Sequence, residues 1–288
     1  MTNPALSTLT DHRPVVLSET PRRVGSVTLV VRDLEEVIDF YQWIIGLELI
    51  DRGARHARLG VGGKVLVHLR SEPGARPRDP RDAGLFHTAF LLPERADLGA
   101  WLSAAAAQGV RLTGAADHLV SEAVYLNDPE GNGVEIYVDR PSSHWLRTDG
   151  MIEMTTDPLD LHRLVAAAAD RPWRGFPEQG VVGHVHLQVG DTARAEAFWQ
   201  GPMGFDVTWR YRGGSFFGSG GYHHQLAANT WNSRGAGVRD DQAAGLAEVE
   251  LIVHPEILEA VRAEASRDDA ETLVIRDPWG LSVALRSD

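Results

Sequence analysis

With no cysteine among its 288 residues, the chain can hold a metal only through nitrogen and oxygen, and thiolate nucleophiles and disulfides are excluded. Several of its twelve histidines fall on short alternating runs. In Gly183-His-Val-His-Leu-Gln-Val189, Val185, Leu187 and Val189 share one face, which leaves His184 and His186 together on the other. His87 holds a matching place in Leu85-Phe-His-Thr-Ala-Phe-Leu91. In Gly133-Val-Glu-Ile-Tyr137, Val134 and Ile136 turn to the core and Glu135 turns away, a carboxylate among apolar neighbours that calls for a cation. Two imidazoles and one carboxylate form the ligand set that binds Fe(II) and leaves open positions for substrate and oxygen. A single His or Glu on a strand is more often a hydrogen-bonded structural residue. Three of them at equivalent places of repeated segments are harder to explain that way. His186 and Glu248 remain as donors that could add to or replace a ligand.

Proton-transfer groups lie close by in the sequence. Tyr125 alternates with Val124 and Leu126, which puts its phenol on the side of Glu135, within reach of an oxygen on a bound metal. In Gly221-Tyr-His-His-Gln-Leu-Ala227, packing of Leu226 against a helix would take His224 to the same face and turn His223 toward the site. His223 is therefore the first acid/base candidate, since imidazole exchanges protons near neutral pH; His224 is the alternative, and because only one of the pair can face the metal the other is structural. Trp231, just beyond, either walls a pocket or caps a sheet.

Four segments must position these residues. Val24 to Gly46, Leu85 to Gly109, Val181 to Gly204 and Leu246 to about Arg267 each read as an alternating strand, an acidic or proline break and an amphipathic helix; a glycine ends the first three. Short strands follow each helix, and two copies introduce the last strand with the same turn, Asp128-Pro-Glu-Gly and Asp277-Pro-Trp-Gly. The unit is βαβββ and the fold class α+β. The organisation predicted is a loosely ordered tail over 1–22, copies one and two over 23–140, a linker with one helix near Leu159–Ala169 over 141–180, and copies three and four over 181–288.

These modules resemble the vicinal oxygen chelate unit shared by glyoxalase I, fosfomycin-resistance proteins and extradiol dioxygenases. The resemblance covers nearly all of Val24 to Arg286 and implies two curved mixed-sheet half-barrels, with ligands on the first and last strands of modules. It selects His87, Glu135 and His184 as the metal set; copies one and four carry Ser26, Glu248 and Ala284 at the corresponding places. The strings ADH-x-VSEA-x-YL-x-DPEGNG-x-EIY, from Ala116, and GHVHLQVGD, from Gly183, are similar to those of the short two-domain catechol 2,3-dioxygenases. That likeness implies Fe(II), with Mn(II) an alternative, a catecholic substrate and O2. It also places His118 and Tyr125 near the substrate. Because the ligands sit on copies two and three, these two must pair, leaving copies one and four to pair as scaffold. Two rival readings are a glyoxalase-like isomerase or lyase, whose second carboxylate would correspond to Gln225, and a metal-free protein that sequesters small aromatic compounds.

An excess of 40 acidic over 28 basic residues, a formal charge of −12, disfavours nucleic acid and anionic membrane surfaces as partners. No apolar run approaches the roughly 20 residues of a membrane span, and the polar N-terminal stretch lacks a signal-peptide centre. A cytoplasmic enzyme, with a homo-oligomer in keeping with common practice among soluble enzymes, is the reading these features support.

Overall fold

A computed structural model describes residues 14–169, 171–262, 267–268 and 272–287. Copy one consists of β1 (Arg22–Val31), α1 (Leu34–Asp39), β2 (Glu48–Arg52), β3 (His56–Val61) and β4 (Lys64–Ser71). Copy two repeats the order with β5 (Gly84–Leu91), α2 (Arg95–Ala107), β6 (Gly114–Asp117), β7 (Ser121–Asn127) and β8 (Gly133–Asp139). The hairpin β9 (Arg147–Thr148) and β10 (Met151–Ile152) and helix α3 (Leu161–Ala167) lead to copy three. That copy holds β11 (Val181–Gln188), α4 (Thr192–Gln200), β12 (Asp206–Tyr211), β13 (Gly214–Gly218) and β14 (Leu226–Asn229). Copy four closes the chain with β15 (Gly245–Val253), α5 (Pro255–Val261), β16 (Arg267–Asp268), β17 (Leu273–Arg276) and β18 (Ser282–Ser287).

The acidic breaks of the sequence are helix caps. Asp33, Asp160 and Asp191 each accept a backbone N–H three residues ahead and so satisfy a donor that the first helical turn leaves free. The repeated Asp-Pro-x-Gly turns are built alike. Asp128 Oδ1 accepts the amides of Glu130 and Asn132, and Asp277 Oδ1 accepts those of Trp279 and Leu281. Each turn aims the last strand of its copy back alongside the first, and β5 with β8 and β15 with β18 are parallel pairs.

The strands form two curved eight-stranded sheets, the vicinal oxygen chelate fold. One runs β12-β13-β14-β11-β5-β8-β7-β6, and the other β16-β17-β18-β15-β1-β4-β3-β2. Copies two and three thus meet at the centre of one sheet through antiparallel β5 and β11, and copies one and four meet in the other through β1 and β15. One apolar core joins both sheets to the helices, with Val37, Trp101, Trp199 and Ile257 as their buried contributions.

Residues 1–13 of the predicted tail lie outside the described residues. The stretch that follows is not loose: Val15 N–H donates to Ser142 Oγ, Leu17–Glu19 form a 3-10 turn, and Thr20 is buried with its hydroxyl on the carbonyls of Leu17 and Arg22. Apolar Val15 and Leu17 cover the Trp145–Tyr222 cluster, a gain that a reading of the tail by composition alone overlooked. Among the described residues, no helix is long and apolar enough to cross a membrane.

Candidate metal centre

Neighbouring strands bring the three predicted ligands together. Register pairs His186 with His87 and His184 with Ala89 across β11 and β5, while Ala89 faces Glu135 across β5 and β8. Two glycines permit this closeness. A Cβ on Gly133 would lie 2.0 Å from the Phe86 carbonyl oxygen, and one on Gly183, at a bulge of β11, would lie 1.9 Å from the Tyr137 hydroxyl. The result is a buried triad: His87 Nε2 stands 3.0 Å and His184 Nε2 3.4 Å from Glu135 Oε2, and the two nitrogens are 3.3 Å apart.

The donor set fits a divalent ion. Two ligands at right angles, each about 2.1 Å from an ion, lie about 3 Å apart, which is the spacing found. Burial lowers the pKa of His184 and keeps its ring neutral, the form that coordinates. Burial alone would raise the Glu135 carboxyl, but the imidazoles of His184 and His87 outweigh it and hold the group well below the ordinary range. Two imidazole nitrogens and a carboxylate oxygen converge on one point, and a cation there satisfies all three. His184 Nδ1 is buried without a hydrogen-bond partner. Packing between the Tyr137 and His224 rings, at 4.9 and 4.2 Å, orients the imidazole instead.

The other donors are excluded from the triad by position. Glu248 belongs to β15 and so to the other sheet. His186 lines the same cavity, but Asn229 Nδ2 donates to its Nε2 at 3.0 Å.

The triad lies in the wall of a cavity of about 380 Å³. On one side His118 Nδ1 meets the Thr155 carbonyl at 2.5 Å, so that nitrogen carries a proton; in the neutral ring Nε2 accepts the Tyr125 hydroxyl at 2.6 Å. Burial, with the Glu135 carboxylate beside it, pushes the Tyr125 phenol well above its usual range. Tyr125 pairs directly with Glu135 across β7 and β8, as its alternation predicted.

On the other side the structure reverses the adjacent histidines. His224 lines the cavity, whereas His223 is fully buried behind it, stacked on Tyr222 at 4.1 Å. Counting back from Leu226 fails because β14 begins only at that residue, so the irregular backbone before it does not alternate. His223 Nε2–H donates to Asp139 Oδ1 at 2.8 Å, and its Nδ1 faces His224 Nδ1 at 2.8 Å. The Tyr222 hydroxyl holds the second oxygen of Asp139. Neither Asp139 nor Tyr137 was singled out from sequence, although a signal existed: both share the face of Glu135 at intervals of two along β8. Gln225 is buried in hydrogen bonds to Ser219 and Thr20, outside the cavity. Trp231 joins the cavity wall with Phe86 and Phe216.

The model of the Glyoxalase/Bleomycin resistance protein/Dioxygenase superfamily matches residues 23–136 and 181–246. This chain belongs to that superfamily. Within it, the chain is 39% identical over 244 residues to a catechol-2,3-dioxygenase of Bacillus subtilis (strain 168), covering 83% of this chain and 85% of that one. It is 33% identical over 107 residues to biphenyl-2,3-diol 1,2-dioxygenase 3 of Rhodococcus globerulus, covering 36% and 56%. The superfamily fold recurs in a putative dioxygenase from B. subtilis, with a TM-score of 0.62 at 17% identity over 93% of this chain and 86% of that one. Glyoxalase I from Zea mays has a TM-score of 0.57 at 18% identity, with 94% of each chain covered.

Proposed function

We propose that this protein is an extradiol ring-cleaving dioxygenase of the catechol 2,3-dioxygenase type, holding Fe(II) through His87, Glu135 and His184. One observation carries the reading: a buried two-histidine, one-carboxylate set opens on an aromatic cavity with proton-handling groups on both sides. The 39% identity to a catechol-2,3-dioxygenase supports it. When bound, the metal would supply a shared anchor for both catechol oxygens and O2 and a path for electrons between them.

The chain's own residues handle the protons. Asp139 holds a hydrogen on His223 Nε2, and the tautomer in which His224 donates from Nδ1 to His223 Nδ1 leaves His224 Nε2 as the free lone pair of its ring. Burial, followed by the neighbouring His184, pushes His224 well below its ordinary pKa and keeps it able to take a catechol proton. His224 thus takes the acid/base role that the sequence assigned to His223, and His223 positions it. Opposite, the Tyr125 phenol stays protonated, and its hydroxyl, held beside the triad by His118 Nε2, is placed to turn and donate a hydrogen bond to developing negative charge.

The rival isomerase reading needs a second carboxylate in the cavity. Gln225 faces elsewhere, and among the described residues Glu135 is the one acid in the cavity lining. Simple sequestration of an aromatic compound gives no role to a buried triad of this spacing. Anaerobic loading with Fe(II), followed by catechol and ¹⁸O₂, tests the proposal. A yellow ring-opened product carrying two ¹⁸O atoms is expected, whereas no oxygen uptake across a broad catechol panel would reject it. Loading with Mn(II) in parallel identifies the metal that supports turnover.

A further inference from the structure

Behind the metal centre, outside the cavity lining, lies a file of three buried oxidisable rings, Tyr137, Tyr222 and Trp145. The Tyr137 ring packs against that of the ligand His184 at 4.9 Å. Its hydroxyl meets the Tyr222 hydroxyl at 3.0 Å, and the Tyr222 ring lies 5.8 Å from that of Trp145. Trp145 sits in the linker between exposed His144 and Leu146. The file therefore runs from a ligand ring to just beneath the surface.

Packing alone does not call for the hydroxyls. Phenylalanine would fill the same space without burying a polar atom. Yet β11 leaves room for the Tyr137 hydroxyl at Gly183, where a Cβ would come within 1.9 Å of it, and both hydroxyls have partners. Tyr222 O–H donates to Asp139 Oδ2 at 2.8 Å, so the proton between the two phenols is that of Tyr137. Burial, followed by the charge of Asp139, raises both phenols well above the usual range and keeps them protonated. A protonated phenol gives up an electron readily only when its proton has somewhere to go, and Asp139 supplies the place. Targets for a stray oxidant stand close by, because Met154 lines the cavity and packs in one cluster with Tyr222 and Trp145.

We propose that Tyr137, Tyr222 and Trp145 form a protective one-electron relay, which draws oxidising equivalents away from the metal ligands when oxygen or peroxide reacts at the metal without a substrate. It rests on a redox metal held by the triad and is independent of ring cleavage. The oxidant takes one electron from Tyr137, whose proton moves to the Tyr222 oxygen as that of Tyr222 moves to Asp139 Oδ2. Tyr222 then returns an electron and the shared proton to Tyr137. Trp145 gives an electron to Tyr222, which recovers its proton from Asp139. A thiol or ascorbate in solution reduces the Trp145 radical cation, whose N–H stays on the Arg140 carbonyl. One electron has passed from external reductant to oxidant, and the protein has neither gained nor lost a proton. Short hops outrun a single long transfer because tunnelling falls exponentially with distance.

The test exposes the Fe(II)-loaded protein, without catechol, to equimolar hydrogen peroxide with and without ascorbate. Electron paramagnetic resonance reads the organic radical, and peptide mass mapping reads oxidised residues. Without ascorbate a tryptophan radical is expected, assigned by the narrowing that ring-deuterated tryptophan produces. Trp145→Phe should move the radical onto tyrosine, and Tyr222→Phe should remove it from tryptophan. With ascorbate present, oxidation of His87, His184 and Met154 per bound iron should rise about threefold or more in both variants. Should Tyr222→Phe lose iron, Trp145→Phe decides, since it leaves the phenol pair and Asp139 in place. Equal damage in variants and parent, no organic radical, or a radical confined to Tyr125 overturns the proposal. The predicted radical and damage without turnover of any catechol would uphold the relay and overturn the dioxygenase reading, and catechol turnover without them would do the reverse. Failure to hold iron would overturn both.

Discussion

Three donor atoms within 3.4 Å of one another, two of them imidazole nitrogens, set the chemistry at the smallest scale. Hydrogen bonding then assigns the protons around them. A carbonyl cannot donate, so the Thr155 carbonyl fixes a proton on His118 Nδ1; a carboxylate cannot donate when ionised, so Asp139 fixes one on His223 Nε2, whose Nδ1 meets His224 Nδ1. A direct consequence is that His224→Ala keeps its metal while kcat falls about 100- to 10,000-fold, the usual contribution of a general acid/base group. Full metal content with unchanged turnover would remove the role. Sequence made much of this set legible. His87, Glu135 and His184 sit on unbroken strands, where alternation decides facing, and Tyr125 follows from the same rule. His223 and His224 precede β14 on irregular backbone, and there a period of two carries no information.

At the scale of elements, the Asp-Pro-x-Gly turns do more than reverse the chain. Asp128 and Asp277 are buried, and burial outweighs their hydrogen bonds from Asn132 and Glu130, or from Leu281 and Trp279, to raise each pKa to about 6. A carboxyl raised above its unfolded value near 3.9 contributes stability that is complete below that value and is lost as pH rises through about 6. These two turns therefore favour folding more at pH 5 than at pH 7. A carbon-13 titration of the side-chain carboxyls should show both midpoints near 6, and midpoints below 4 would mean that the amide bonds dominate. The turn motif was plain in the sequence, but the depth of its burial was not. That depth comes from packing against elements distant in the chain, including Gly245, which lies by the Asn132 side chain.

For the whole molecule, ligand placement alone required copies two and three to pair, and the sheet order shows that pairing. What the chain pattern did not reveal was how closely the ends of the segments are tied in, from Val15 on Ser142 to Lys64 Nζ on the Glu178 carbonyl. Such contacts tie the tail or a copy to the linker and have no local signature. Each sheet draws strands from both sides of Gly180, and the triad is divided in the same way. Fragments 1–179 and 180–288 should therefore bind no metal singly and regain one ion per pair when refolded together, as measured by metal analysis after gel filtration. Stoichiometric metal on fragment 1–179 alone would show that His184 is dispensable.

The account turns on whether that divided triad holds the ion. A crystal structure of the anaerobically Fe(II)-loaded protein, with iron located by its anomalous signal, addresses this directly. Iron within bonding distance of His87 Nε2, His184 Nε2 and a Glu135 oxygen is the predicted result. Iron bound through His186 or His224 with Glu135 unligated would contradict it.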